Sequence, residues 1–419
     1  MPWHQTNPMD QRTQFVLQAL NGDNFRRLCR DYGISAKTGY KWKERFLKHG
    51  LDGMQEASRR PRSSPGQLSE QEVCAIVKLK HRHPHWGPLK LREVYSRGQQ
   101  QEPQAQAGAA TPSLSSFKRV LERTGLVHKR RTRKVAGEPG TRLHSGRKGC
   151  APNEVWTVDF KGWWHDPEGG RCEPLTVRDE HSRYVLECHR LNKARTEEVW
   201  ERFERLFERH GLPQAIRSDN GSPFASHHGV LGLSRLSARW VALGIGLERS
   251  RPGCPQDNGG HERMHRDISV EVQCRPQGWS QAALDTWREE FNHQRPHQAL
   301  GMKTPGELYT NSSSRYQGLP DDLNYEKLPQ SRRISSHGLL KWQGHSIFVS
   351  EALCGWSVGL DPQEDGLIDV YFADLLVGQL EPATHSFLRA ASGPQEAVVG
   401  EPSAEAAVAK APNTIEPKP

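Results

Sequence analysis

No apolar run in this 419-residue chain approaches the roughly 18 residues that a membrane helix needs. The opening Met1-Pro2-Trp3-His4-Gln5 lacks the charged and then apolar pattern of a signal peptide, so the expected compartment is the cytoplasm. None of the eight cysteines belongs to a Cys-x-x-Cys pair, and they are scattered along the chain. That spacing argues against a zinc knuckle and against a disulfide scaffold, leaving free thiols in a reducing compartment. Acidic residues are scarce where basic ones crowd. Residues 117–148 hold eleven Lys or Arg against two acids, a local charge of +9 that equals the net charge of the whole chain. A basic stripe of this density suits a polyanion partner, because each cation placed on a phosphate releases counterions; a solvated linker is the plain alternative.

The length exceeds one ordinary domain and predicts two to four. Residues 9–48 read as helices, with Phe15, Val16 and Leu20 and then Phe25 and Leu28 at helical spacing. Gly33 sits where a helix would stop, and Ser35 can cap the next one, which runs through Tyr40, Trp42 and Phe46. Helix, Gly-containing turn, helix is the helix-turn-helix plan, whose second helix enters the DNA major groove. Lys37, Thr38, Tyr40, Lys41 and Lys43 are then the expected DNA-facing side chains. A Ser-, Arg- and Pro-rich linker follows over 58–67, then a second helical unit opened by Ser69 and Glu72 as a capping box. His81, His83 and His85 flank Pro84 in an expected turn and lack the partners a zinc site requires, so no zinc is expected. Residues 98–112 read as a flexible insertion, and Ser115–Arg123 as a second possible recognition helix running into the basic stripe with Lys129, Arg130, Arg131, Arg133 and Lys134.

From residue 151 the texture changes. Strands are predicted at 155–160, 175–177, 183–186 and 214–218, an amphipathic helix at 196–210, then helix 235–243, strand 245–249 and helix 260–270. That order is a ribonuclease-H-like α/β core. After 331 five short alternating segments suggest a small β-barrel, and residues 389–419 are too poor in apolar residues to fold.

Three carboxylates stand out in the α/β region. Asp159 lies near the end of the first strand, on the face of Val155 and Thr157. Asp219 directly follows the fourth, at the head of Asp219-Asn220-Gly221-Ser222-Pro223-Phe224, and Glu262 opens a helix after Asn258-Gly259-Gly260. If the first and fourth strands are neighbours, the two aspartates converge at one sheet edge. Carboxylates gathered there repel one another, and hard divalent cations relieve that repulsion. Two such ions, Mg2+ or Mn2+, are the expected cofactors, since a pair of ions serves in-line displacement at phosphorus. Taken singly, each of the three is more simply a turn or helix-start residue.

The blocks Trp156-Thr157-Val158-Asp159-Phe160, Ser218-Asp219-Asn220-Gly221-Ser222-Pro223-Phe224 and Asn258-Gly259-Gly260-His261-Glu262 resemble the active-site blocks of bacterial insertion-sequence transposases, members of the retroviral-integrase (DDE) superfamily. A fourth block, Phe291-Asn292-His293-Gln294-Arg295-Pro296-His297-Gln298-Ala299-Leu300-Gly301, is similar to that family's Asn-x-x-Arg-Pro-His-x-Ala-Leu signature. The resemblance covers roughly residues 10–310 and implies Asp159, Asp219 and Glu262 as catalytic metal ligands, double-stranded DNA (element ends and target) as partner, and a homo-oligomer on that DNA. Arg295 and His297 read as a structural turn held by the Arg and Pro, ahead of DNA contact or core positioning near the site, and Asn258 as a turn residue supporting Glu262. Two features depart from the family pattern. Glu262 follows Asp219 by 43 residues, longer than is common, and Ser269 stands two turns after Glu262 where relatives often carry Lys or Arg. Arg266, one turn from Glu262 on the same face, is the nearest substitute for DNA contact. A regulator that binds DNA without cutting it would have lost a carboxylate, and a ribonuclease-H-type nuclease would not need the helical units.

The sequence thus predicts a multidomain chain: a helix-turn-helix domain at 9–57; a second, winged-helix-like unit at 66–135; a basic linker at 136–150; a ribonuclease-H-like integrase core at 151–315; a β-barrel-like domain at 331–388; and a disordered tail at 389–419.

Overall fold

A computed structural model describes residues 7–56, 67–101, 111–127, 148–251 and 255–390. The chain divides into two compact units, Met1–Ser69 and Glu70–Pro419.

The first unit holds three helices, α1 (Pro8–Leu20), α2 (Phe25–Asp31) and α3 (Ala36–His49). Each starts on a side-chain cap: Asn7 on Met9 N–H, Asn24 on Arg27 N–H and Ser35 on Thr38 N–H. Gly33 takes φ +62° in the turn before α3, a backbone setting that side chains disfavour. Phe15, Val16, Leu28, Cys29, Trp42 and Met54 close the core, so each helix contributes its apolar stripe.

The second unit opens with three more helices, α4 (Glu70–Arg82), α5 (Pro88–Gln101) and α6 (Leu114–Arg123). They close on Ile76, Leu91, Tyr95, Phe117 and Leu121, all buried. His83 begins the α4–α5 turn, stacked on Trp86, with its Nδ1 2.5 Å from Glu290. This histidine is a docking contact. Among the described residues no group of three or more His, Cys, Asp or Glu is set to hold a metal ion. Arg97 of α5 adds an ion pair to Glu307 and a hydrogen bond to the Met302 carbonyl (3.0 Å).

The sheet that follows contains β1 (Val155–Phe160), β2 (Trp164–His165), β3 (Arg171–Asp179), β4 (Val185–Leu191), β5 (Ala215–Ser218) and β6 (Gly246–Arg249), with α7 (Thr196–His210) before β5 and α8 (Arg235–Ala242) before β6. Its main order is β4-β3-β1-β5-β6, antiparallel from β4 to β1 and parallel from β1 to β6; β2 extends the β1 side of β3. The strand expected at 183–186 is β4, which starts two residues later than the pattern suggested because Arg183 occupies a turn with φ +64°. One face of the sheet packs Trp156, Val158, Leu175 and Val177 against Val199, Phe203 and Phe207 of α7 and Trp240 of α8. Each fully buried side chain of this size contributes about 1.5–3 kcal/mol by leaving water. The other face is covered by α9 (Gly259–Ile268) and α10 (Gln281–Glu289), through Met264, Ile268, Leu284 and Trp287 against Val185 and Cys188. Both of these helices run on into π turns, Ser269–Gln273 and Glu290–Gln294.

The C-terminal strands are β7 (Gln330–Arg333), β8 (Leu339–Trp342), β9 (His345–Phe348), β10 (Ser357–Pro362), β11 (Ile368–Phe372), β12 (Leu375–Glu381) and β13 (Ser386–Arg389). The expected barrel is not formed. Five strands make an antiparallel sheet with open ends, β13-β12-β11-β10-β7, and β8-β9 pair apart. The physical reason is that the apolar face finds its cover elsewhere: Val358, Leu360, Val370 and Phe372 share one cluster with Val230, Leu233, Ala238 and Val241 from around α8. A sheet buried this way has no need to close on itself. The expected basic residues Lys129, Arg130, Arg131, Arg133 and Lys134 and the tail from 391 onward lie outside the described residues.

Candidate active site

Asp159 sits on β1 with Thr157, and the parallel β1–β5 pairing puts Thr157 opposite Arg217. Asp159 and Asp219 each lie two residues beyond that pair, so the two strands deliver them at the same level of the sheet. The loop at Asp219 is held by short-range bonds. Its Oδ1 accepts the Gly221 N–H (3.1 Å), and Asn220 Nδ2 donates to the Ser250 carbonyl (2.8 Å). Phe224 turns back to stack on Phe160 at 5.2 Å. Arg249 donates to Ser218 Oγ (2.7 Å), and burial pushes its guanidinium down to about 10, with the Asp219 charge opposing.

Glu262 stands exposed in the first turn of α9. Asn258 is the N-cap residue, but its side chain makes no capping bond. The entry is held instead by Arg251 and Asp257, joined by Nε–Oδ2 (3.0 Å) and Nη2–Oδ1 (2.9 Å) bonds, with Asp257 buried. Gly260 meets the guanidinium of buried Arg178, and a Cβ there would overlap it. Arg178 in turn pairs with Glu180 at 3.0 Å. Farther along, Arg295 donates to Asp267 Oδ2 and Glu271 Oε2, each at 2.8 Å, and Trp287 Nε1 donates to the same Glu271 oxygen at 3.0 Å. Arg295 is only 4% exposed, so it clamps the helix that carries Glu262. His297, packed edge-on to Phe291, is pushed down to about 2, chiefly by burial. Asn292 accepts the Val185 N–H and donates to the Val185 carbonyl, both at 2.9 Å, completing the edge of β4 as a neighbouring strand would.

The carboxyl of Asp159 is raised to about 7, first by burial, then by the charge of Asp219 and, less, of Glu262. Asp159 therefore senses both other carboxylates, although the three do not close into a ligand shell. Asp219 and Glu262 face solvent, while Asp159 keeps 28% of its side chain exposed. An oxygen-only donor set whose neighbouring charges repel at Asp159 fits a hard divalent cation. His265 lies 3.9 Å from Asp159 and is held down to about 3, mainly by burial and then by Lys161 and Arg178.

Of the expected DNA-facing residues, Lys37, Tyr40 and Lys41 are exposed on α3, in line with Glu44 and Lys48. Thr38 is tied to Ser35 at the cap (2.9 Å). Lys43 does not project with them: its Nζ bonds the Ala19 carbonyl (3.4 Å) and lies over the Phe25 ring. Arg266 is exposed on α9, and Ser269 folds its hydroxyl onto the His265 carbonyl (3.1 Å). Sequence reasoning missed Arg178, Asp257, His261, Thr157 and Thr176. Only the i, i+4 pair His261 and His265 carried a readable signal, as polar residues on the buried face of α9.

Residues 150–255 and 243–305 each match a family described as integrase core domain. Residues 11–62 match a helix-turn-helix domain and 38–121 a homeodomain-like domain. The chain is 26% identical over 258 residues to the insertion element IS407 uncharacterized 31.7 kDa protein of Burkholderia multivorans, covering 59% of this chain and 83% of that one. It is 25% identical over 228 residues to the transposase for transposon Tn552 of Staphylococcus aureus, covering 46% and 45%. Among solved structures, the HTLV-2 integrase catalytic core domain in complex with magnesium aligns at 17% identity and TM-score 0.31, over 39% of this chain and 99% of that one.

Proposed function

We propose that the chain is a bacterial insertion-sequence transposase of the DDE integrase superfamily, which binds the ends of its own element and catalyses Mg2+-dependent strand cleavage and transfer into target DNA. The observation that carries this reading is the pairing of β1 with β5, which sets Asp159 level with Asp219 while burial first, and then the charges of Asp219 and Glu262, raise the Asp159 carboxyl. Asp159, Asp219 and Glu262 would hold two divalent ions. When bound, such a pair activates the attacking oxygen and stabilises the leaving one. The chain's own part is to hold these carboxylates in register, through the strand pairing and the clamps on α9. In this reading α1–α3 and α4–α6 grip the element ends, with Lys37, Tyr40, Lys41 and the stretch 129–134 on phosphate or base edges and Arg266 near the reacting end. Residues 151–315 serve as the catalytic core, the sheet after 331 as an accessory domain, and the protein works in the cytoplasm as a homo-oligomer that brings two ends together.

The test incubates the protein with labelled element-end DNA, target plasmid and Mg2+, beside Asp159→Asn. Loss of one ligand should remove several kcal/mol of transition-state stabilisation, about a thousandfold in rate. Joined product from the parent alone supports the reading; binding without cleavage by the parent sinks it.

A further inference from the structure

His261 is fully buried beside Glu262, in the first turn of α9. Its ring spans two strands: Nδ1 lies 2.8 Å from Thr157 Oγ1 of β1, and Nε2 lies 2.9 Å from Thr176 Oγ1 of β3. Thr176 Oγ1 donates its one proton to the carbonyl of Asp159 itself (2.9 Å), so it accepts from the imidazole and Nε2 carries the proton. Nδ1 is then free to accept from Thr157 Oγ1, for whose proton the Arg178 carbonyl competes at a longer 3.3 Å. The Thr176 hydroxyl is shared with His265 Nε2 (2.8 Å) as well. One network thus joins the backbone of Asp159, the strand partner of Asp159 and the turn that carries Glu262.

Docking alone does not call for this network. Met264 and Ile268 already bury α9 against the sheet, at 2% and 0% exposure. Apolar contacts of that kind are non-directional and tolerate sliding or rotation of a helix about its axis. Two hydrogen bonds from one rigid ring to two strands do not. The close approach of Gly260 to Arg178 limits the same turn from the other side.

We propose that His261 is a positioning residue, fixing the first turn of α9 on Thr157 and Thr176 so that Glu262 meets Asp159 and Asp219 at the separation a divalent cation requires. This rests on the reading of the three carboxylates as metal ligands. Partners that orient metal ligands typically change metal affinity by about 10–100-fold when removed, and a change of that size is expected here.

The experiment uses the full chain as parent, His261→Leu, His261→Gln, Thr157→Val and Glu262→Gln. Mn2+ binding is titrated by the electron paramagnetic resonance signal of the free ion, and cleavage of element-end DNA is followed against Mg2+ concentration. His261→Leu and Thr157→Val should weaken Mn2+ binding by about 10-fold or more. They should raise the Mg2+ needed for half-maximal cleavage in parallel, and largely keep the rate at saturating metal. His261→Gln, which keeps a donor and an acceptor, should recover part of the loss. Thr157→Val is nearly isosteric and carries the test where a His261 variant does not fold. Folded variants with parental Mn2+ binding and Mg2+ dependence overturn the proposal, as does a lowered maximal rate with unchanged metal dependence. Should Glu262→Gln bind Mn2+ and cleave like the parent, the underlying reading of the site fails instead.

Discussion

Replacing Arg295 with Met keeps the length and apolar stem of the side chain but removes a guanidinium that holds two carboxylates. In the parent, Nη2 meets Asp267 and Nη1 meets Glu271, each at 2.8 Å, with the arginine only 4% exposed. Glu271 is itself buried at 7% exposure, so Arg295→Met leaves a charge with only the Trp287 N–H for company on that oxygen. Breaking a buried pair in this way costs about 3–5 kcal/mol, most of it the penalty of the abandoned charge. The cost should therefore shrink when that charge is removed too. The double variant Arg295→Met with Glu271→Gln should be more stable than the sum of the singles by roughly 0.5–3 kcal/mol, because the amide still accepts from Trp287. Urea unfolding of the parent, both singles and the double completes the cycle. A loss under about 1 kcal/mol for Arg295→Met, the range of an exposed pair, would refute the clamp, as would strict additivity.

Three other outcomes follow from the same geometry. Gly260→Ala drives a methyl into the Arg178 guanidinium and should cost about 1–3 kcal/mol, with reduced cleavage; parental thermal stability and activity would contradict it. The Glu290 carboxyl is held below its usual 4.5, first by its hydrogen bond to His83, with Arg275 and Arg82 assisting against burial. A depressed folded-state value adds stability that is present above the unfolded value and is lost as pH falls through the folded one. Acid unfolding should therefore be shallower below pH 4.5 for Glu290→Gln than for the parent, and superimposable curves would argue against it. On α3, Lys41→Ala should weaken DNA binding and lower the salt slope by about one counterion, whereas Lys43→Ala, whose amine is turned back onto Ala19, should leave the slope unchanged. Equal slopes for the two in a filter-binding titration would refute the assignment of faces.

Several elements were legible because their signals are local. Helix α7 was expected at its observed bounds, from acids in its first turn and a Gly–Leu–Pro stop. Alternation along β1 correctly separated Trp156 and Val158, which face α7, from Thr157 and Asp159, which face α9. For Arg295 a structural turn and a positioning role near the site were both open; it is seen buried on Asp267 and Glu271 behind Glu262, partners that could not be read in advance. The barrel expectation failed for a related reason: alternation marks a strand and its apolar face but not what covers that face, and here α8 does.

The sequence by itself determined the order of most strands and helices, though not β2, α10, β7 or β13, together with the apolar stripes, several caps, and the presence of carboxylates at two strand ends and one helix start. These depend on residues within a few positions of each other, where backbone geometry sets the spacing. Only the tertiary structure decided that β1 lies beside β5, that His261 spans Thr157 and Thr176, that Gly260 yields to Arg178, and that the last sheet stays open. Each of these joins residues far apart in the chain, and burial favours many such pairings about equally. Directional bonds and close packing select one, and they exist only once the chain has folded.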